Sequence, residues 1–269
     1  MGILSFRRGF SRSRVAPRVY AIGDIHGRLD LLAELTKLIR IDVAGRAHRP
    51  TRIVILGDFI DRGCDSASLI RLFMRLREER DFVILKGNHE AAMCDALNGD
   101  HAALDLWLAH GGRATLASFG VDAAAPDLED GPRLLRAARL AIPKPVRSWL
   151  AGLPTHMRSD DHYFVHAGVR PGVGLDEQTD EDRLWIGDEF TGSLADHGAV
   201  IVHGHTVCEG GVHLGANRIG VDTGAYRTGR LSAVGLEAGN AWIVATASTG
   251  NSARLRSRAD DPTIKRVAQ

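Results

Sequence analysis

The sequence predicts an α/β protein of one domain. Three observations carry that expectation. From Arg18 onward, three successive units place a short apolar run before a glycine-containing polar cluster and then a helix-like segment. A proline-interrupted helical middle follows, and the last third consists of short β-rich runs.

The first unit runs from the strand Val19-Tyr-Ala-Ile22 into a helix over Leu29 to Ile41, where Leu31, Leu32, Leu35, Leu38 and Ile39 recur at helical spacing. The second joins Ile53-Val-Ile-Leu56 to a helix over Ser66 to Arg80, with Leu69, Ile70, Phe73, Met74 and Leu76 as its apolar stripe. In the third, Phe82-Val-Ile-Leu85 leads into a helix beginning near Glu90. These stripes are packing surfaces. From about Ala91 to Arg158 the chain reads as helices broken at Gly111-Gly112, Pro126, Pro132 and Pro143, with Trp107 and Trp149 as anchors. Strands follow at Tyr163 to Val165, Ala199 to Val202, Arg218 to Val221, Leu231 to Leu236 and Ala241 to Ala245. The short Glu237 to Asn240 connection, with Gly239-Asn240, joins the last two as a hairpin.

Composition narrows the function classes. The 269 residues are 44% hydrophobic and 25% charged, enough to bury a sizeable core, which excludes a disordered or fibrous chain. With 34 basic against 33 acidic residues the formal charge is +1, too small a field to imply a nucleic-acid partner. No apolar run approaches the ~20 residues of a membrane span. Cys64, Cys94 and Cys208 are three in number and form no Cys-x-x-Cys pair, which fits a reducing, cytoplasmic setting without a disulfide framework. Residues 1–17 read as a flexible basic tail and 251–269 as a polar tail, flanking one domain over 18–250. The tail's arginines do not suffice for stable membrane association.

The chemistry sits at the strand ends. The early strands lead into Gly23-Asp-Ile-His-Gly27, Gly57-Asp-Phe-Ile-Asp-Arg-Gly63 and Gly87-Asn-His-Glu90, and two later clusters read Phe164-Val-His-Ala-Gly168 and His203-Gly-His-Thr206. In open α/β sheets, ligands bind beyond the carboxyl ends of strands, so the five clusters are expected to converge. In an extended chain Asp24 and His26 point to one side and can share a cation. Asp58 has two oxygens and can bridge two cations, and adjacent Asn88 and His89 would diverge, one toward metal and one toward substrate. His166 and His205 add imidazoles. A donor set of oxygen and imidazole without thiolate suits manganese, iron, cobalt, nickel or zinc.

This motif series resembles that of the metallophosphoesterases of the phosphoprotein phosphatase type. Leu85-Lys-Gly-Asn-His-Glu90, Gly111-Gly112 with Ser118-Phe-Gly120, and Val221-Asp-Thr-Gly-Ala225 are similar to their bacterial branch. The resemblance spans about Arg18 to Ala245. It implies a two-sheet β-sandwich flanked by helices, a four-layer α/β/β/α arrangement, with two divalent cations, manganese foremost, at one edge. By the same resemblance Asp24, His26 and Asp58 hold the first cation, and Asp58, Asn88, His166 and His205 hold the second. Hydroxide generated between them would attack phosphorus directly. Arg62 would clamp phosphate oxygens, while His89, oriented by Asp61, would protonate the leaving oxygen.

The expected activity is serine/threonine protein phosphatase, on phosphoproteins or phosphorylated small molecules, by a monomer whose helical segment about 91–158 lines the substrate side. Hydrolysis of diadenosine tetraphosphate is the enzymatic alternative. A non-catalytic binding module is the alternative from another class. The missing second histidine of a Gly-His-x-His pattern, with Val207 in its place, favours the phosphoprotein phosphatase branch. One departure stands out: Leu184-Trp-Ile-Gly-Asp-Glu-Phe190 has Gly187 where bacterial relatives often carry a second phosphate-binding arginine, for which Arg183 or Arg227 are substitutes. His203 is a supporting or structural group, Asp222 a loop support, and Cys64 a small buried thiol.

Overall fold

The computed structural model describes residues 17–125, 128, 130–159 and 161–247. The basic segment up to residue 16 and the polar C-terminal segment lie outside them. Among the described residues no helix is long and apolar enough to cross a membrane.

Three βα units open the chain: β1 (Arg18–Ile22) and α1 (Leu29–Ala44), β2 (Thr51–Ile55) and α2 (Ser66–Leu76), β3 (Phe82–Ile84) and α3 (Asn88–Asn98). β1, β2 and β3 pair in parallel, as successive strands with helical crossovers must. The helical stretch continues through α4 (His101–Trp107), a kink at Gly111, α5 (Arg113–Ser118), α6 (Gly131–Ala141) and α7 (Lys144–Ala151). Pro132 and Pro145 sit in the first turns of α6 and α7, where the missing N–H costs nothing, so these prolines start helices. α2 ends at Leu76, four residues before the expected Arg80, where the apolar stripe gives way to a charged turn.

The second half supplies β4 (His156–Ser159), β5 (His162–Val165), α8 (Asp180–Trp185), α9 (Asp188–Thr191), β6 (Val200–His203), β7 (His213–Leu214), β8 (Arg218–Gly220), α10 (Ala225–Thr228), β9 (Ser232–Glu237) and β10 (Asn240–Ala245). β9 and β10 form the expected hairpin and join the first sheet, giving the order β10-β9-β1-β2-β3. The second sheet is β4-β5-β6-β8-β7. Its edge strands β4 and β7 were not apparent in the sequence, because short, half-exposed edge strands carry no apolar alternation.

The period-2 geometry of the strands builds the layers. Val19 and Ala21 of β1 pack with Val54, Phe164, Val202, Ile219 and Val234 between the sheets, whereas Tyr20 and Ile22 face a second core under the helices. Tyr163, Val165 and Ile201 turn to the far face of the second sheet, against Leu175, Ile186 and Phe190. The result is two mixed five-stranded sheets face to face, flanked by helices, and the loops that follow β1, β2, β3, β5 and β6 meet at one edge.

Candidate metal centre

Backbone geometry concentrates at that edge. Among the described residues six non-glycine residues have φ in the left-handed region, and five of them are His26 (45°), Asp58 (45°), Asp61 (70°), Arg62 (68°) and His205 (60°). Each such residue stores on the order of 1–3 kcal/mol, which the surrounding contacts must overdetermine. The premise of an extended Asp24-Ile25-His26 is thereby corrected: the chain turns at His26 to donate its N–H to the Asp58 carbonyl at 2.9 Å. Gly27 and Gly63 touch backbone to backbone, and a Cβ on Gly63 would lie 2.5 Å from the His26 carbonyl oxygen. Gly87 is equally constrained, since its Cβ would fall 2.1 Å from Asp58 Oδ1.

Two groups of potential ligand atoms share Asp58. His26, Asp58 and His89 form one, and Asp58, His166 and His205 the other, with the atoms of each group within 4.8 Å of one another. Asp58 Oδ2 faces Nε2 of both His26 and His89 at 3.7 Å, and Oδ1 faces His166 Nε2 at 3.5 Å. Asn88 joins the second group: its Oδ1 is 2.8 Å from His166 Nε2 and 3.2 Å from His205 Nδ1. Asn88 and His89 are the first residues of α3, so they diverge by the rotation of a helix, which corrects the extended-chain premise. Asp24 lies outside both groups, and its carboxylate accepts the His205 backbone N–H at 3.2 and 3.1 Å.

The donor chemistry fits divalent cations. His26 Nδ1 donates to the Ile60 carbonyl and His166 Nδ1 to the Leu56 carbonyl, each at 2.9 Å, so each Nε2 presents a lone pair. Those lone pairs point at oxygens of Asp58 and Asn88. Facing acceptors with no proton between them are what a cation reconciles, and the carbonyl contacts are the outer support that orients ligating imidazoles.

Electrostatics tell the same story. Burial, reinforced by Asp222 and Asp58, pushes the Asp24 carboxyl well above the usual range. Burial lowers His26 to about 3 and His205 to about 4, keeping both imidazoles neutral and able to ligate. Asp58 is fully buried, yet His166, His89, His26 and His205 hold it below the ordinary carboxylate range. His89 alone among these imidazoles is raised: burial opposes its charge, but Asp58 and Asp61 outweigh it. Its Nδ1 donates to Asp61 Oδ2 at 2.7 Å, and Arg62 Nη2 approaches its Nε2 within 3.2 Å. The Arg62 guanidinium rests over the Tyr226 ring at 4.3 Å.

Other singled-out residues are placed plainly. His203 is buried against Phe190, with Nδ1 donating to Gly204 O and Nε2 toward Arg218, away from both groups. Arg183 is engaged by Tyr163 Oη and Asp180, which removes it as a substitute phosphate clamp. Arg227 pairs with Glu209 beside the site. Asp222 supports its loop by accepting the Gly224 N–H at 2.8 Å, and burial pushes it up to about 7. Cys64 is exposed, not buried as expected, in the turn that follows Gly63 and precedes α2. Glu90 is a site residue whose role the spacing did not reveal: its carboxylate accepts the backbone N–H groups of Asp58, Phe59, Ile60 and Gly87.

Two mixed sheets in a sandwich, with a carboxylate shared between two ligand groups at one edge, define a metal-dependent phosphoesterase. The chain belongs to the calcineurin-like phosphoesterase family, which matches residues 17–223. It is 27% identical over 224 residues to serine/threonine-protein phosphatase 2 of Salmonella typhimurium, covering 80% of this chain and 90% of that protein. It is 28% identical over 198 residues to the symmetrical bis(5'-nucleosyl)-tetraphosphatase of Nitrosomonas europaea, covering 71% of this chain and 61% of that protein. A solved structure described as a putative diadenosine tetraphosphatase superposes with a TM-score of 0.60 at 21% identity, covering 88% of this chain and 96% of the other.

Proposed function

We propose that the chain is a dinuclear phosphoesterase acting on phosphoserine or phosphothreonine in proteins of the cytoplasm. Asp58 supports the dinuclear reading, because its two oxygens each face a separate set of imidazoles. Asp24, His26 and Asp58 would hold one cation, and Asp58, Asn88, His166 and His205 the other, with manganese the first choice among the manganese, iron, cobalt, nickel or zinc that oxygen and imidazole donors suit. A cation beside Asp24 would offset the burial, and the repulsion from Asp222 and Asp58, that raise its carboxyl. When bound, the pair supplies Lewis acidity toward phosphate oxygens and an attacking water.

The protein's own groups do the rest. Arg62, whose planar fork matches phosphate oxygens, exchanges its contact with His89 for the substrate. His89 then delivers a proton from Nε2 to the leaving oxygen while Asp61 retains the Nδ1 hydrogen bond. The 27% identity with a serine/threonine-protein phosphatase over 90% of that protein supports a phosphate carried on a peptide. The recess bordered by Asn88, His89, Ala92, Leu106, Trp107, His110 and Trp185 lies beside the dyad of His89 and Asp61. Leu106 at that recess and Tyr226 against Arg62 and His26 are exposed apolar side chains that suit peptide residues flanking the phosphate.

The Nitrosomonas relative supports a second reading, symmetrical dinucleoside polyphosphate hydrolysis. Turnover of phosphopeptides and diadenosine tetraphosphate by manganese-loaded wild type, Asp58→Asn and His89→Asn separates the possibilities. Expected are faster phosphopeptide cleavage, near-complete loss in Asp58→Asn, and a fall of about 10²–10⁴-fold in His89→Asn. Faster dinucleotide cleavage overturns the protein-phosphatase reading. Equal rates in all three proteins overturn catalysis altogether and leave a binding module.

A further inference from the structure

Asp61 is held far more tightly than its partnership with His89 requires. The carboxylate is fully buried and accepts from three side chains: His89 Nδ1 at 2.7 Å, Trp107 Nε1 at 3.0 Å to both oxygens, and Thr115 Oγ1 at 2.5 Å to Oδ1. Its backbone N–H donates to Ser66 Oγ at 2.9 Å and Thr115 Oγ1 at 3.0 Å. The donors lie on α3, α4 and α5, so the helical stretch reaches under the loop that carries Asp61 and Arg62. The Gly111-Gly112 kink makes this approach possible. Gly111 adopts φ 115° and accepts the Arg62 N–H through its carbonyl at 3.3 Å, and a Cβ on Gly112 would lie 2.6 Å from the Trp107 indole.

An anionic carboxylate in a buried site is tolerated only when its oxygens are hydrogen-bonded. A carboxylate offers about four lone-pair positions, and here the three side chains commit them. With those positions taken Asp61 has one rotamer and acts only as an acceptor. His89 must therefore keep its hydrogen on Nδ1, which leaves Nε2 as the nitrogen that faces the site.

We propose that Trp107 and Thr115 are positioning residues for proton transfer: together they pin Asp61 so that His89 presents Nε2 to the leaving-group oxygen. The inference rests on the reading of His89 as proton donor. It gives the helical stretch a second task beyond bordering the substrate groove, because α4 carries both the groove residue Leu106 and the clamp residue Trp107.

The test compares wild type with Trp107→Phe, Thr115→Val and Thr115→Ser, each checked for fold by circular dichroism. The first readout needs neither metal nor turnover: the downfield proton resonance of His89 Nδ1–H in metal-free protein. It is expected in wild type and Thr115→Ser, and shifted or lost to exchange in Trp107→Phe and Thr115→Val. The second readout is kcat for phenyl phosphate against 2,4-dinitrophenyl phosphate, since only the poorer leaving group needs the proton. The two disruptive variants are expected to lose about 10–100-fold on the phenyl ester and less than about threefold on the dinitrophenyl ester, with KM unchanged and Thr115→Ser restoring activity. An unshifted resonance, or equal losses on both esters, overturns the proposal. A wild type that cleaves neither ester overturns the phosphoesterase reading instead, and the resonance still decides the clamp.

Discussion

Glu90 Oε2 accepts the backbone N–H of Asp58 at 2.9 Å, and Asp58 Oδ1 in turn accepts the backbone N–H of His89 at 3.0 Å. The loop after β2 and the start of α3 are thus stitched together in both directions. Burial and the neighbouring Asp58 drive the Glu90 carboxyl upward. Four backbone N–H groups nonetheless converge on its two oxygens, leaving no acceptor for a carboxyl proton, so the anion is the form that this cradle fits.

Glu90→Gln tests that cradle. An amide NH₂ replaces one oxygen, so two backbone N–H groups lose their acceptor, at roughly 1–3 kcal/mol each. Urea denaturation is expected to show a loss of about 2–6 kcal/mol. An unchanged midpoint with unchanged slope refutes the role.

Metal stoichiometry follows from the sharing of Asp58. Wild type is expected to retain about two cations per chain by elemental analysis, His26→Asn and His166→Asn about one each, and Asp58→Asn neither. Retention of both cations by Asp58→Asn would sink the bridging assignment.

Gly187 precedes α9, two residues after the groove residue Trp185, and a Cβ built on it meets nothing within 4 Å. An arginine there meets open space at its Cβ, and on the proposed reading its guanidinium would join Arg62 on the substrate phosphate. Gly187→Arg is expected to raise kcat/KM on phenyl phosphate by about 10-fold, as one charge-assisted hydrogen bond allows. A rate that stays the same or falls counts against a missing clamp at this position.

Alkaline stability is expected to depend on Tyr20. Burial first, then its hydrogen bond to Asp42, raises the Tyr20 pKa above its ordinary value. The unfolded chain loses this proton near pH ~10 while the folded chain keeps it, so the stabilisation is full below pH ~10 and declines as pH rises further. Tyr20→Phe lacks that decline. Urea midpoints of the two proteins at pH 8 and pH 11 should converge at the higher pH, and a constant difference would disprove the assignment.

The three βα units and the β9–β10 hairpin were legible because apolar periodicity and turn residues are local signals. Polar edge strands such as His156–Ser159 carry no such signal, and pairing alone makes them strands. Among the site residues, those with chemical character were visible at their strand ends: Asp24, His26, Asp58, Asn88, His89, His166 and His205. Their geometry was not, because left-handed φ at His26 and Asp58 is imposed by contacts with other loops. Glu90 stands in the quoted motif without a visible role and Thr115 looks ordinary, since their work lies in hydrogen bonds to backbone and side chains 30 or more residues away.

The sequence by itself determined the alternation of strands and helices, the inventory of oxygen and imidazole donors, and the absence of thiolates among them, while the order of layers was implied by the family resemblance. Only the tertiary structure decided which donors share Asp58, which nitrogen each histidine presents, and that Trp107 and Thr115 close on Asp61. The reason is physical. Residue type and spacing encode local propensity and chemical capacity, whereas hydrogen-bond direction and buried charge depend on distant segments packed against one another.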